Sequence, residues 1–464
     1  MKALPALGMT LAVSACGLIG ESSAPKAGPV ADTEAATRAV CGAGSREETG
    51  LQGQVPKADR DSGRSLEGYW CNLERVGQYE GQGASWQFAW YDDCGYYDQK
   101  APNDLLEVPG TVVVDGSDPA QPVATGHLQT AAMMDPWESL KTSGRRGLLA
   151  AYESTGGAGG PGFSIHDVAA DCRQPKLLAD VQFPGTYGHE GAMAPDGMTY
   201  YGSGSASSAA TPPNIAVNAV DISDPSKPQL LLNWDTAHGN ATATHGLSIS
   251  EDGTRAYLAS VGTNGLVIAD FSQIQARTPN PAVTLLGAVS WSDGAINQHT
   301  VPFTSRGKPY VLFVDEGGFG AARIIDVGNE LAPSIVSKLK LEIHLPQNAA
   351  EAAADGAAGI IQYDGHYCSV DRTVDPTAVA CGYAWSGVRV FDIRDVAHPK
   401  EIAYYIPPAK TEDRAGSQTA AADRADKCTA QVRFVAERGE LWTTCQNNGF
   451  LVLRFTNGVW PVRG

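Results

Sequence analysis

The chain has 464 residues, with 34 basic against 51 acidic side chains and a formal net charge of −17. About 43% of residues are apolar and 18% charged. That is enough apolar material for a large core and excludes global disorder. The acidity excludes a nucleic-acid partner, since such binders concentrate Lys and Arg. Gly (52) and Pro (28) together favour turns and short strands over long helices.

The chain starts with Lys2, an apolar run over residues 3–11 and the small-residue stretch Val13-Ser14-Ala15-Cys16. This pattern predicts a secretory signal over residues 1–16. Val-Ser-Ala-Cys also resembles a lipobox, which makes Cys16 the expected lipidation point; the alternative is a plain cleaved signal. Residues 17–40, rich in Ala, Gly, Pro and Ser, read as a flexible tether. Residues 41–464 then form one domain. No later segment is long and apolar enough to span a bilayer, so a lipid anchor would be the one membrane contact.

Eight cysteines follow Cys16, an even number that in an exported chain points to disulfides. Cys368/Cys381, Cys428/Cys445 and Cys71/Cys94 each flank an expected hairpin, which leaves Cys41 for Cys172. No Cys-x-x-Cys occurs to suggest a metal site instead.

Six segments share one pattern: a β-branched run, an Asp, a polar turn that usually holds a Pro, and a second apolar run. Their Asp residues are 115, 167, 221, 270, 326 and 392, and Arg454 takes the seventh slot. The spacings of 52, 54, 49, 56, 66 and 62 mark a repeat array. Residues 244–290 show what one repeat contains. Strands are expected over 245–250, 255–260, 266–271 and 283–289, with Asp252-Gly253 turning the first hairpin. Four antiparallel strands per unit and seven units predict an all-β, seven-bladed β-propeller. The final unit lacks a fourth strand, and residues 50–55 are expected to supply it and close the ring.

The phrases GLVIADF, IAVNAVDISDPSKP and VRVFDIRDVAHPKEIAYY resemble the LVIVD repeat of bacterial secreted propeller proteins. The resemblance covers roughly residues 50–464. It implies an exported propeller and carries no defined catalytic meaning. The recurrent Asp reads as a cap for the turn that follows it.

Four histidines, His189, His245, His299 and His366, stand 56, 54 and 67 residues apart and open the first strand of successive units. In a propeller that strand lines the channel, so the four converge on one mouth. Converging imidazoles suit Cu or Zn; the competing reading is structural hydrogen bonding between blades. Glu190 is placed to orient His189. Asp315 and Glu316, on an expected Gly-rich hairpin loop, are candidates for a cation or for acid–base work. Trp86 and the stretch 135–138 around Trp137 read as packing. Two inserts, 347–359 and 408–427, project from the ring.

The leading expectation is a monomeric, extracytoplasmic, lipid-anchored or secreted binding module for a surface protein or polymer. The alternatives are a copper-type oxidoreductase using the His set and a divalent-cation hydrolase or lactonase using Asp315 and Glu316.

Overall fold

A computed structural model describes residues 34–99, 107–154, 161–186, 188–204, 215–235, 241–356, 361–411 and 425–460. The signal, Cys16 and most of the tether lie outside the described residues, as does most of the 408–427 insert.

Seven antiparallel sheets follow one another around the ring. Blade 1 runs Phe88–Tyr91, Cys94–Tyr97, Thr111–Asp115, Val123–Leu128. Blade 2 runs Lys141–Ser143, Leu148–Tyr152, Gly162–Asp167, Lys176–Gln182. Blade 3 runs Glu190–Met193, Thr199–Ser203, Ile215–Asp221, Gln229–Asp235. Blade 4 runs Thr244–Ile249, Arg255–Ser260, Gly265–Asp270, Thr284–Ser290. Blade 5 runs Ala295–Ser305, Lys308–Gly317, Ala322–Asp326, Ser334–Leu339. Blade 6 runs Cys368–Val370, Ala378–Gly382, Val388–Asp392, Lys400–Ile406. Blade 7 runs Arg433–Val435, Glu440–Cys445, Gly449–Phe455 and closes with Leu73–Tyr79.

The ring is thus fastened by pairing the two ends of the chain, but not with the expected segment. Leu73–Tyr79 pairs antiparallel with Gly449–Phe455. Tyr69–Cys71 adds a fifth strand to blade 6. Residues 50–55 instead lie beside blade 6, where Gly53 O accepts from Ser386 Oγ and the Val55 backbone contacts Tyr363 Oη. Leu73–Tyr79 escapes a sequence reading because two exposed residues in a row, Glu74 and Arg75, followed by the half-buried Val76, blur the two-residue alternation.

The apolar core is divided among the blade interfaces. Each interface has its own cluster of β-branched, aromatic and Ala side chains. Tyr201, Val217 and Trp234 of blade 3 pack on Leu247, Leu258 and Val267 of blade 4, for example. The repeat Asp is a turn cap in all six blades that carry it. Asp115, Asp167, Asp221, Asp270, Asp326 and Asp392 each accept, through Oδ1, from the backbone N–H two residues on, at 2.8–3.0 Å. That satisfies a donor the turn would otherwise leave open.

The structure corrects the end of the tether. From Ala36 the chain is bound to the ring: Ala36 is buried and donates to Lys340 O, and Arg38 pairs with Glu342. Arg389 anchors this strap from below. Its guanidinium is fully buried and reaches Glu48 Oε2 at 2.7 Å and Glu401 Oε1 at 3.0 Å.

Two of the expected disulfides, Cys368–Cys381 and Cys428–Cys445, are present; the first joins directly paired residues of neighbouring strands, and the second ties the segment before Arg433–Val435 to the end of Glu440–Cys445. The other two are exchanged: Cys41 pairs with Cys71, and Cys94 with Cys172. Cys71 and Cys94 belong to different blades, so the hairpin that would join them does not exist. Four disulfides fit an oxidising, extracytoplasmic location. No helix among the described residues is long and apolar enough to cross a membrane.

Candidate functional site

The inner strands begin at one end of the channel, and there the structure gathers a set of polar side chains. At its centre is Glu138, 2% exposed, on the segment leading into blade 2. A parallel bridge aligns Glu138 with Glu190 of blade 3. His189 Nε2 and His245 Nε2 each lie 3.4 Å from Glu138 Oε2, and 2.8 Å from each other. His366 Nε2 lies 3.0 Å from the other oxygen, Oε1. Gln298 Nε2 donates to Oε2 at 2.9 Å. Three of the four predicted histidines therefore converge, and on a carboxylate that the spacing argument passed over.

His299 is brought to the same end but turned aside. A β-bulge falls between Asn297 and His299, so Gln298 takes the slot facing Glu138. The His299 ring instead places Nδ1 2.7 Å from Glu190 Oε1. Glu190 is fully buried, and Lys141 Nζ stands 3.6 Å from the same oxygen. Gly246, next to His245, is required here: a Cβ would sit 1.8 Å from Glu190 Oε2.

Asp315 and Glu316 do not form a loop pair. Both lie in the strand Lys308–Gly317 and face opposite sides of it. Asp315 is buried in the blade and saturated by Arg323 at 2.5 Å, Asn297 at 2.7 Å and Trp291 Nε1 at 3.0 Å. Glu316 turns to the channel, with Oε2 3.7 Å from His245 Nδ1.

Electrostatics tie the group together. Burial opposes the charge on Glu138, yet His366 and hydrogen bonds from His189, His245 and His366 hold its carboxyl well below the usual range. Burial likewise opposes a charged His245, but Glu138, Glu316 and Glu190 push it up to about 9. His366 moves the same way, carried by Glu138 against burial. Burial takes His299 below its ordinary value despite Glu190.

Glu138, His189 and His245 form a group that can hold a metal ion: one ligand atom from each lies within 4.8 Å of the others. Metal–ligand bonds of about 2.0–2.1 Å put neighbouring ligand atoms roughly 2.9–3.4 Å apart, depending on coordination number. The observed edges of 2.8, 3.4 and 3.4 Å fall in or beside that range. The supporting contacts are of the kind metal histidines need. Thr429 O accepts from His366 Nδ1 at 2.9 Å, which turns Nε2 toward Glu138, and Glu316 stands behind His245. His245 Nδ1 and Glu190 Oε2 are buried without a hydrogen bond, which is uncommon for polar atoms in a finished core. His189 is the accessible ligand, its side chain 22% exposed against 3% for both His245 and Glu138.

Aromatic rings continue the circle: Trp86 stands 5.3 Å from His366 and 5.5 Å from Trp137, and Trp137 6.2 Å from His189. The signal for Glu138 was its distance of 52 residues from Glu190, the same step as between the first two repeat Asp residues.

The LVIVD repeat family matches residues 217–236, so the chain carries an LVIVD repeat. No curated protein matches the sequence. Among solved structures, a putative 6-phosphogluconolactonase from Bacteroides uniformis is similar at 11% identity and TM-score 0.51, over 77% of this chain and 90% of that one. The Cps50 (Swd1) β-propeller domain of Myceliophteria thermophila is similar at 12% identity and TM-score 0.52, covering 83% and 100%. Hydrazine synthase of Kuenenia stuttgartiensis gives 11% and 0.51, covering 82% and 97%. At such identities the likeness is one of fold.

Proposed function

We propose that this chain is an exported propeller that binds a first-row transition metal at one end of its channel, through Glu138, His189 and His245 with His366 beside them, and uses it as a metalloenzyme. The observation that supports this most is the approach of ligand atoms from blades 2, 3 and 4 to metal-edge distances. The donor set holds two imidazoles and a carboxylate, with no thiolate or thioether. That favours zinc over Cu(I). Three protein ligands with a further position free is the layout of a catalytic zinc, so the chemistry in view is Lewis-acid or hydrolytic more than copper redox work. Asp315 has no role in it, since Arg323, Asn297 and Trp291 consume its acceptors. A ligand imidazole must be unprotonated to bind metal, and the carboxylates around His245, against burial, push it up to about 9, so affinity rises with pH.

The test is metal content. The full chain, refolded or expressed in an oxidising compartment, is loaded with Zn²⁺ or Cu²⁺, desalted and assayed by elemental mass spectrometry. One equivalent, lost in His245→Ala and Glu138→Gln but kept in His299→Ala, supports the reading. No retained metal in the correctly folded protein returns the function to a binding or scaffold module for a surface protein or polymer. Anchoring is a separate proposal: lipid on Cys16, detected on the intact protein from membranes, supports it, and an unmodified mature end removes it.

A further inference from the structure

On one side the metal-binding end is walled by apolar side chains. Trp86, Trp137, Ile361 and Ala384 pack there as one small cluster. Trp137 stands nearest the metal set: its ring centroid lies 6.2 Å from that of His189, and its backbone runs directly into Glu138. Trp86 continues the arc, 5.5 Å from Trp137 and 5.3 Å from His366. Trp86, Ile361 and Ala384 are buried, whereas Trp137 is only half-buried. An indole left half open beside the most accessible metal-binding side chain has apolar surface to offer a ligand.

The backbone holds this wall under strain. Among the described residues, the aromatic or β-branched side chains at positive φ are Trp137 (47°), Ile296 (51°), Phe319 (56°) and Ile361 (60°). That region is disfavoured for such residues. All four belong to segments that carry the metal set. Trp137 precedes Glu138, Ile296 stands two residues before Gln298, and Phe319 three after Glu316. Phe319 N–H and Ile361 N–H both donate to Asp364, at 2.9 and 3.0 Å, and Asp364 lies two residues before His366. Backbone strain of this kind gathers at ligand clamps, where the surrounding structure enforces it. A metal held by Glu138, His189 and His245 has its free position on the His189 side, because the other two ligands are enclosed. A molecule bound at that position meets Trp137 next. We propose, resting on the metal reading above, that the substrates of this site carry a metal-binding oxygen joined to an aromatic or similarly flat apolar group that packs on Trp137.

Hydroxamates are the probes, since they bind zinc through two oxygens on a carbon body of choice. The full chain is loaded with zinc, its metal content is measured, and it is titrated calorimetrically with acetohydroxamate and benzohydroxamate. Benzohydroxamate is expected to bind about tenfold or more tighter. Trp137→Gly removes the ring at a φ that glycine adopts freely. It should keep its zinc and its affinity for acetohydroxamate, and bring the two probes within about threefold of each other. Ile361→Asn, also suited to its φ, thins the wall and should weaken benzohydroxamate alone. Three results overturn the proposal and leave the metal reading standing: the zinc-loaded parent binds both probes equally, it binds neither, or a zinc-bearing variant shows an undiminished preference. A folded parent that retains no zinc removes both readings, and the metal content tells that failure from the others.

Discussion

Replacing Arg389 by Met should unfasten the N-terminal strap and do so in a pH-dependent way. The guanidinium is wholly buried, donates to Ser386 O at 2.8 Å as well as to Glu48 and Glu401, and lies 4.4 Å over the Tyr404 ring. Glu48 and Glu401 have side chains only 4% and 1% exposed. Removing the cation leaves two buried carboxylates facing each other, and breaking a buried pair in this way costs about 3–5 kcal/mol. Unfolding entropy of about 2.1 cal/mol/K per residue over roughly 400 residues turns 4 kcal/mol into a fall of about 5 °C in melting temperature. Burial pushes the Glu48 carboxyl up even with Arg389 in place, and further without it. A raised carboxylate disfavours the folded state as pH rises above the unfolded value of about 4.3. The deficit should therefore be largest near neutral pH and shrink toward pH 4–5. Differential scanning calorimetry across that range, with Glu48→Gln/Arg389→Met/Glu401→Gln as the compensated variant, measures it. A deficit that does not change with pH, or a triple variant no better than the single, refutes the reasoning.

Other outcomes follow from separate parts of the ring. His344 is fully enclosed, accepting from Leu341 N–H at 3.0 Å through Nδ1 with Nε2 2.6 Å from Tyr363 O, and burial brings it down to about 3. Its unfolded state takes up the proton first, so stability falls as pH drops from about 6.5 toward 3; a His344→Gln variant should flatten that part of the profile in calorimetry. Replacing Cys94 and Cys172 by Ser opens a loop of 78 residues, worth about 4–5 kcal/mol in the chain-entropy model. Non-reducing peptide mapping should recover the 41–71 and 94–172 linked pairs, and a 71–94 peptide would contradict the strap geometry. Leu73, 1% exposed on the closing strand, should cost about 2–5 kcal/mol when cut to Ala, with hydrogen exchange rising first in Gly449–Phe455; exchange unchanged there would show that closure does not depend on that strand.

The repeat was legible because Asp115, Asp167, Asp221, Asp270, Asp326 and Asp392 each do one local job, and a local job leaves a local mark. The strands of residues 244–290 were readable to within one residue for the same reason. What the sequence hid depends on contacts between distant segments. The partner of Gly449–Phe455 comes from the other end of the chain and shows little alternation of its own. The Cys71 and Cys94 pairings are set by a strap whose path no hairpin rule describes. Within the site, His189, His245 and His366 were visible from spacing alone. Glu138 was not, because a loop carboxylate looks like a solvated turn until its register with Glu190 is drawn. His299 looked equivalent to the other three until the bulge at Gln298 rotated it away.

The central claim is the metal position. Crystals of the zinc-loaded full chain, measured across the zinc absorption edge, put it to the most direct test. The account predicts one dominant anomalous peak, about 2.0–2.1 Å from both His189 Nε2 and His245 Nε2 and bonded to Glu138. No peak there, or a dominant one at the acidic surface around Asp92, Asp115 and Asp171, would contradict it.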